Sequence, residues 1–218
     1  MIITIDGPAG TGKTTVAKRV AECLHFSYFD TGAMYRIVTW LILQDNVDIT
    51  DRVAVQKVID DFLLKFTIEK GRYFIGAKDV TQEIRKQEVT AFVSPVSALT
   101  PVRESLWKLQ RHFAQSGDAV FEGRDMGSVV FPGAEVKIFL TARPEVRAER
   151  RLLELVAKNP HLDRDQVLAD IQKRDEIDST RMLAPLCCPD GAYTIDTSSL
   201  TLDQVVEQIL QYKLKVIS

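Results

Sequence analysis

Gly7-Pro8-Ala9-Gly10-Thr11-Gly12-Lys13-Thr14 fills every fixed position of the pattern G-x-x-x-x-G-K-[ST], and Thr15 follows it. Small residues let successive backbone N–H groups turn inward around a β-phosphate. A helix opening after Lys13, over Thr14 to Leu24, would add its positive end to the same point. Lys13 is placed to reach the β- and γ-phosphates, and the Thr14 hydroxyl to ligate Mg²⁺. The spacing predicts that Gly7 to Thr15 bind a nucleoside triphosphate with Mg²⁺. A glycine turn alone would not need the Lys-Thr pair. The motif leaves the acceptor of a phosphoryl group open.

Arginines supply the rest of the candidate chemistry. Asp30-Thr31-Gly32-Ala33-Met34-Tyr35-Arg36 sets Arg36 one turn into a helix, either as a two-pronged phosphate ligand or as an ordinary solvated arginine. Glu122-Gly123-Arg124-Asp125-Met126-Gly127 flanks Arg124 and Asp125 with glycines, which suggests a constrained turn presenting both side chains. Arg143, Arg147, Arg150 and Arg151 fall within an arc of about 100° on a helical wheel. Leu152, Leu153 and Val156 lie elsewhere on that wheel and are expected to hold the helix down. Four guanidiniums on one face repel one another unless an anion visits, so the cluster predicts a mobile lid, with a solvated charged face as the bland alternative. Arg174, Asp178 and Arg181, spaced four and three apart, share one helix face; there they are a ligand site or a surface salt-bridge ladder. Phosphoryl transfer needs positioning, a metal ion and cations rather than a nucleophilic side chain. The three histidines are scattered, and no Ser-His-Asp set is plausible.

These groups need a scaffold. Met1 to Ile5 reads as a short buried strand, and Ser27 to Asp30, Ala119 to Glu122, Val136 to Leu140 and Tyr193 to Asp196 read as four more strands. Helical patterns follow or separate them at Thr14 to Leu24, Gly32 to Leu43, Val102 to Gln115, Glu145 to Lys158, Arg164 to Ile177 and Leu202 to Leu214. Alternation of this kind predicts an α/β fold, a five-stranded parallel sheet with helices on both faces. Ligands of such sheets sit beyond the strands' carboxyl ends, where the P-loop, Arg36 and Arg124 all fall. The stretch from Phe62 to Ile84 breaks the alternation and reads as a small antiparallel insert.

The bulk properties narrow the partners. The chain has 218 residues and a net charge of −2, enough for one α/β domain and without a global field to hold a nucleic-acid polymer. Cys23, Cys187 and Cys188 match no metal-binding spacing and are expected as free thiols in the cytoplasm. The first residues meet Asp6 at once and do not read as a signal peptide, and no apolar run approaches a membrane span. A monomer acting on small molecules is expected.

Several blocks together resemble the bacterial cytidylate kinases. They are Ile3-Thr4-Ile5-Asp6-Gly7-Pro8, the Asp30 to Arg36 block, Glu122 to Pro132, Lys137-Ile138-Phe139-Leu140 and Arg174-Asp175. The resemblance implies a P-loop NTPase fold with one kinase domain over 1–218. Within it lie a monophosphate-binding region over 31–105 carrying the β insert at about 62–84, and an arginine lid over 143–162. It implies ATP as phosphoryl donor and CMP or dCMP as acceptor. By position, Ser94, Arg103 and Asp125 would contact cytosine; Arg36, Arg124 and Arg181 would hold the acceptor phosphate; Thr31, Arg174 and Asp178 would belong to the substrate site. Lys13, Arg124, Arg147, Arg151 and Arg181 would act on the transferring group. Other small-molecule P-loop kinases share the loop and lid, and a nucleotide switch shares the loop.

Overall fold

The computed structural model describes residues 1–156 and 163–217. They form two compact units, Met1–Asp30 with Ala114–Ser218, and Thr31–Phe113.

The first unit is built on a five-stranded parallel sheet. Its strands are β1 (Ile2–Asp6), β2 (Ser27–Asp30), β6 (Ala119–Gly123), β7 (Val136–Thr141) and β8 (Tyr193–Asp196), in the order β2-β6-β1-β7-β8. The β-branched run of β1 suits the central position, where both faces are covered: Ile3 and Ile5 are fully buried. The register sets Asp6 beside Gly123 on β6 and Phe139 on β7, and Glu122 beside Asp30 on β2. The carboxyl ends of the strands therefore gather Asp6, Asp30, Glu122 and the loops that follow them.

Helices α1 (Lys13–Leu24) and α8 (Leu202–Ile217) pack Val16, Val20, Val205 and Ile209 against Ile5, Val120 and Ile138 of the sheet. Each buried side chain of this size contributes about 1.5–3 kcal/mol. Helices α6 (Pro144–Val156) and α7 (Arg164–Thr180) join through Ala148, Val167 and Ile171, with Leu152 and Leu168 against them. Leu152 thus holds α6 as expected, but Leu153 is exposed, because its direction on the wheel faces away from α7.

The second unit centres on α2 (Thr31–Gln44). Apolar residues surround this helix, and it is buried accordingly, from Ala33 and Met34 through Trp40 and Ile42. Around it lie α3 (Arg52–Lys65), α4 (Gln87–Ala98) and α5 (Thr100–Phe113). A separate antiparallel sheet holds β3 (Phe66–Glu69), β4 (Arg72–Ile75) and β5 (Lys78–Asp79). The strands begin at Phe66, not at Phe62. The Asp51 side chain caps α3 by accepting from the N–H groups of Val53 and Ala54. Val55, Val58, Ile59 and Phe62 then keep helical period as far as Lys65. Among the described residues no helix is long and apolar enough to cross a membrane.

Candidate active site

Asp6 ends β1 and the P-loop begins. Gly7 has φ +144°, and a Cβ there would lie 2.0 Å from the Leu140 carbonyl oxygen, so only glycine lets the chain pass β7. Gly10 has φ +78° and faces α6, where a Cβ would come within 2.9 Å of Arg147 Cβ. The loop turns into α1 at Gly12, and Lys13 is its first residue. Lys13 is buried and donates from Nζ to the Pro8 carbonyl at 2.6 Å and to Thr11 Oγ1 at 3.4 Å. Burial, then the nearby Arg124 guanidinium, holds its ammonium well below the usual lysine range. The predicted loop from Gly7 to Thr15 is therefore a helix-opening turn with a buried cation folded over it, the arrangement that receives phosphates.

Thr14 Oγ1 donates to Glu122 Oε2 at 3.0 Å, and the Tyr28 hydroxyl donates to Glu122 Oε1. Glu122 lies on β6 and is almost wholly buried. Burial, then the Asp30 carboxylate opposite, pushes its carboxyl up to about 7. Among the described residues there is no cluster of three His, Cys, Asp or Glu side chains able to hold a metal. The Thr14–Glu122 pair offers hard oxygens to Mg²⁺, which usually takes one or two protein groups and completes its shell with water and phosphate.

Asp6 works on the opposite side of β1. Its two oxygens accept the backbone N–H of Met126 at 2.9 Å and of Gly127 at 2.7 Å. These bonds fasten the π-helical turn Met126–Val130, and with it the preceding Arg124 and Asp125. Burial outweighs both bonds and raises the Asp6 carboxyl to about 6.

Arg124 Nε donates to Asp178 Oδ2 at 3.1 Å, Arg181 reaches Asp178 Oδ1 at 3.5 Å, and Arg174 Nε lies 4.0 Å from Oδ2. The sequence placed Arg174, Asp178 and Arg181 on one helix. In the structure Arg181 follows α7 as its C-cap in extended backbone, and its Nε donates to the Ala184 carbonyl at 2.7 Å. Burial pushes the Asp178 carboxyl up, but Arg124, Arg174 and Arg181 together outweigh it and leave it below the usual carboxylate range. This is a buried cluster, not an exposed ladder: Asp178 is 3% exposed.

The four arginines predicted to share a face of α6 diverge. Arg143 precedes the helix, and its N–H donates to Ser198 Oγ at 2.8 Å. Arg147 pairs with Asp175 and donates to the Ala142 carbonyl at 3.0 Å and the Ala9 carbonyl at 3.3 Å. Arg150 grips Thr197, reaching Oγ1 at 2.9 Å and the carbonyl oxygen at 2.6 Å. Thr197 Oγ1 in turn lies 3.1 Å from the Thr11 carbonyl of the P-loop. Arg151 meets only the exposed Glu154, at 2.8 Å, among the bonds described. Wheel position predicted the common arc, but long side chains on one arc follow different partners.

In the second unit Thr31 is the buried first residue of α2. Arg36 donates to the Ile84 carbonyl at 3.0 Å and Thr90 Oγ1 at 2.9 Å. Ser94 is buried in α4, and its carbonyl accepts from Ser97 Oγ at 3.0 Å. Arg103 is buried and donates to the Ser97 carbonyl at 2.9 Å. The sequence reading missed Asp6, Tyr28, Glu122, Asp175 and Thr197 as working residues. An acid ending each of two buried strands was a usable signal for Asp6 and Glu122; Thr197 had none.

Comparison with known proteins follows the geometry. A family model described as Cytidylate kinase matches residues 3–215. The chain is 50% identical to the cytidylate kinase of Protochlamydia amoebophila, over 98% of this chain and 96% of the relative. It is 46% identical to that of Listeria monocytogenes, over 95% and 93% respectively. Among solved structures, shikimate kinase from Bacteroides thetaiotaomicron aligns with a TM-score of 0.51 at 15% identity, covering 99% of this chain and 98% of that one. That likeness concerns the fold alone.

Proposed function

The chain belongs to the cytidylate kinase family, and we infer from this that it transfers the γ-phosphoryl group of ATP to CMP or dCMP, giving CDP or dCDP and ADP. The observation that carries the reading is the P-loop lysine standing in one unit with three arginines gathered on Asp178. Phosphoryl transfer spreads negative charge over the equatorial oxygens, and preorganised cations stabilise it without rearranging.

In this reading Gly7 to Thr15 cradle the ATP phosphates and Lys13 meets the β- and γ-oxygens. Mg²⁺ fits the Thr14 hydroxyl, with Glu122 orienting that hydroxyl from behind; when bound, the ion neutralises charge between the phosphates. Arg36, Arg124 and Arg181 hold the acceptor phosphate, and Thr31, Arg174 and Asp178 complete the substrate site. Arg147 and Arg151 act over the transferring group as part of a lid over 143–162, of which 157–162 lie outside the described residues. The region 31–105 is assigned to the monophosphate.

Ser94, Arg103 and Asp125 are assigned to the base. A carboxylate accepts from the cytosine N4 amino group, and an arginine donates to the ring acceptors. Uracil presents a carbonyl where cytosine presents the amino group, so a buried carboxylate rejects it strongly; Asp125 is 2% exposed. The protein is proposed to work as a cytoplasmic monomer on small molecules.

A coupled ADP-release assay with Mg·ATP and each of CMP, dCMP, UMP, AMP, GMP and shikimate tests the reading. Fast turnover confined to CMP and dCMP is expected. Another preferred acceptor would discard the cytosine assignment, and acceptor-independent ADP release alone would indicate a nucleotide switch.

A further inference from the structure

Arg103 is a fully charged side chain inside an apolar unit, 1% exposed. Such a group must be compensated, and the compensation also decides how freely it turns. One arm is fixed: a terminal nitrogen donates to the Ser97 carbonyl at 2.9 Å. That carbonyl belongs to the last turn of α4, where the helix end is partially negative. Ser97 Oγ also donates to the Ser94 carbonyl, so the turn carrying Ser94 is tied to the turn that holds Arg103.

Two aromatic rings also lie against the guanidinium. The Arg103 guanidinium lies over the Tyr35 ring, 5.5 Å from its centroid, and over the Trp107 ring at 5.4 Å. Tyr35 comes from α2. Trp107 stands four residues after Arg103 on α5, the spacing that brings two side chains onto one face. Helical side chains lean toward the N-terminus, so the indole covers the turn from which Arg103 springs. Tyr35 is buried in the packed centre of the unit, whereas Trp107 is half-buried and not required to fill its core.

We propose that Trp107, with Tyr35, is a positioning residue for base selection: the two rings hold the Arg103 guanidinium in the plane from which it reads the pyrimidine. The inference rests on the assignment of Arg103 to the cytosine. An arginine discriminates between bases only if its donors point in a fixed direction, and a ring face restrains the tilt of a planar guanidinium laid against it. Trp107 does not touch the reacting atoms in this account.

The test uses the full-length chain with Arg103→Met, Trp107→Leu, Trp107→Phe and the Arg103→Met/Trp107→Leu double variant. Steady-state constants are measured for CMP, UMP and ATP. Trp107→Leu is expected to raise KM for CMP about tenfold and to lower the CMP-to-UMP ratio of kcat/KM by a similar factor, as loss of a desolvated cation–π contact would. KM for ATP should stay unchanged. Trp107→Phe keeps a weaker ring and should recover most of the ratio; it reads the same quantity if the leucine variant does not fold. In the Arg103→Met background the leucine change should add nothing, because its effect passes through the guanidinium.

An unaltered CMP-to-UMP ratio in Trp107→Leu, or in its absence a ratio unaltered in Trp107→Phe, overturns the proposal. So does a full additional loss in the double variant, which would give Trp107 a role of its own. If Arg103→Met itself leaves KM for CMP intact, the assignment of Arg103 to the base fails first. A large effect of Arg103→Met with none of Trp107→Leu leaves that assignment standing and removes only the positioning role.

Discussion

Arg124 donates its Nε–H to Asp178 Oδ2 at 3.1 Å, a bond between residues 54 apart in sequence that ties the turn after β6 to the end of α7. With Arg181 and Arg174 on the same carboxylate, one acid sets the spacing of three cations. The carboxylate is worth more as an organiser than as a stabiliser, because burying it costs much of what its partners return.

Asp178→Asn keeps the shape and removes the charge, leaving three guanidiniums to repel one another. The expected result is a fall in kcat/KM for CMP of about 100-fold and a loss of roughly 3 kcal/mol in stability, the scale of a broken buried pair. KM for ATP should change little. Steady-state kinetics and denaturant melts check both, and unaltered kcat/KM for CMP would remove Asp178 from the site.

The five-stranded sheet and the P-loop were legible because β1, β6 and β7 carry short apolar runs between helical patterns and the loop obeys a fixed spacing. The helix α4 was not read, since β-branched residues and Pro95 within Gln87–Ala98 weaken its local signal and packing against α2 carries it. The start of β3 was misjudged because Leu64 and Lys65 suit a strand locally, while the cap at Asp51 sets a helical period that runs through them. Within the site, residue types and spacing pointed to the arginines but not to their partners. Thr197 meets Arg150 across 47 residues, and nothing near either residue in sequence encodes that contact.

Lys13 separates function from stability. Burial and the positive charge of Arg124 disfavour its ammonium, so the folded chain bears a cost for the group proposed to meet phosphate. Lys13→Met fills the same space without charge. It should cut kcat by about 1000-fold or more, while the melting temperature holds or rises by about 2–4 °C. Calorimetry beside the kinase assay reads both, and retained turnover would sink the P-loop assignment.

Arg150 and Arg151 should part company under the same substitution. Arg150→Met removes two bonds to the buried Thr197, which itself approaches the P-loop carbonyl of Thr11. It should lose about 1–2 kcal/mol of stability and raise KM for ATP. Among the described residues Arg151 gives up an exposed pair with Glu154, so Arg151→Met should leave stability within about 0.5 kcal/mol. Its kcat should fall by about 10- to 100-fold if the guanidinium swings over the transferring phosphate. The reverse pattern, with Arg150 controlling kcat and Arg151 controlling stability, would exchange their roles.

Glu122 makes stability depend on pH in a direction opposite to that of a salt-bridged acid. Folding raises its carboxyl from the ordinary 4.5 to about 7, and that of Asp6 from 3.8 to about 6. The folded chain therefore holds these protons more tightly than the unfolded chain does. Their destabilising contribution is absent at low pH, grows as pH rises from 3.8 to about 6 for Asp6 and from 4.5 to about 7 for Glu122, and is level above that. Asp178 has the opposite sign: its carboxyl is depressed, so its contribution is present above the ordinary 3.8 and is lost only as pH falls below it. From pH 5 to 7 the raised pair titrates while Asp178 stays ionised. Glu122→Gln cannot ionise, so the melting temperature of the variant minus that of the parent should climb steadily across this interval, whatever offset the altered bonds to Thr14 and Tyr28 introduce. A difference that stays flat from pH 5 to 8 would mean that Glu122 is already ionised at pH 5 and that Thr14 donates to a charged carboxylate throughout.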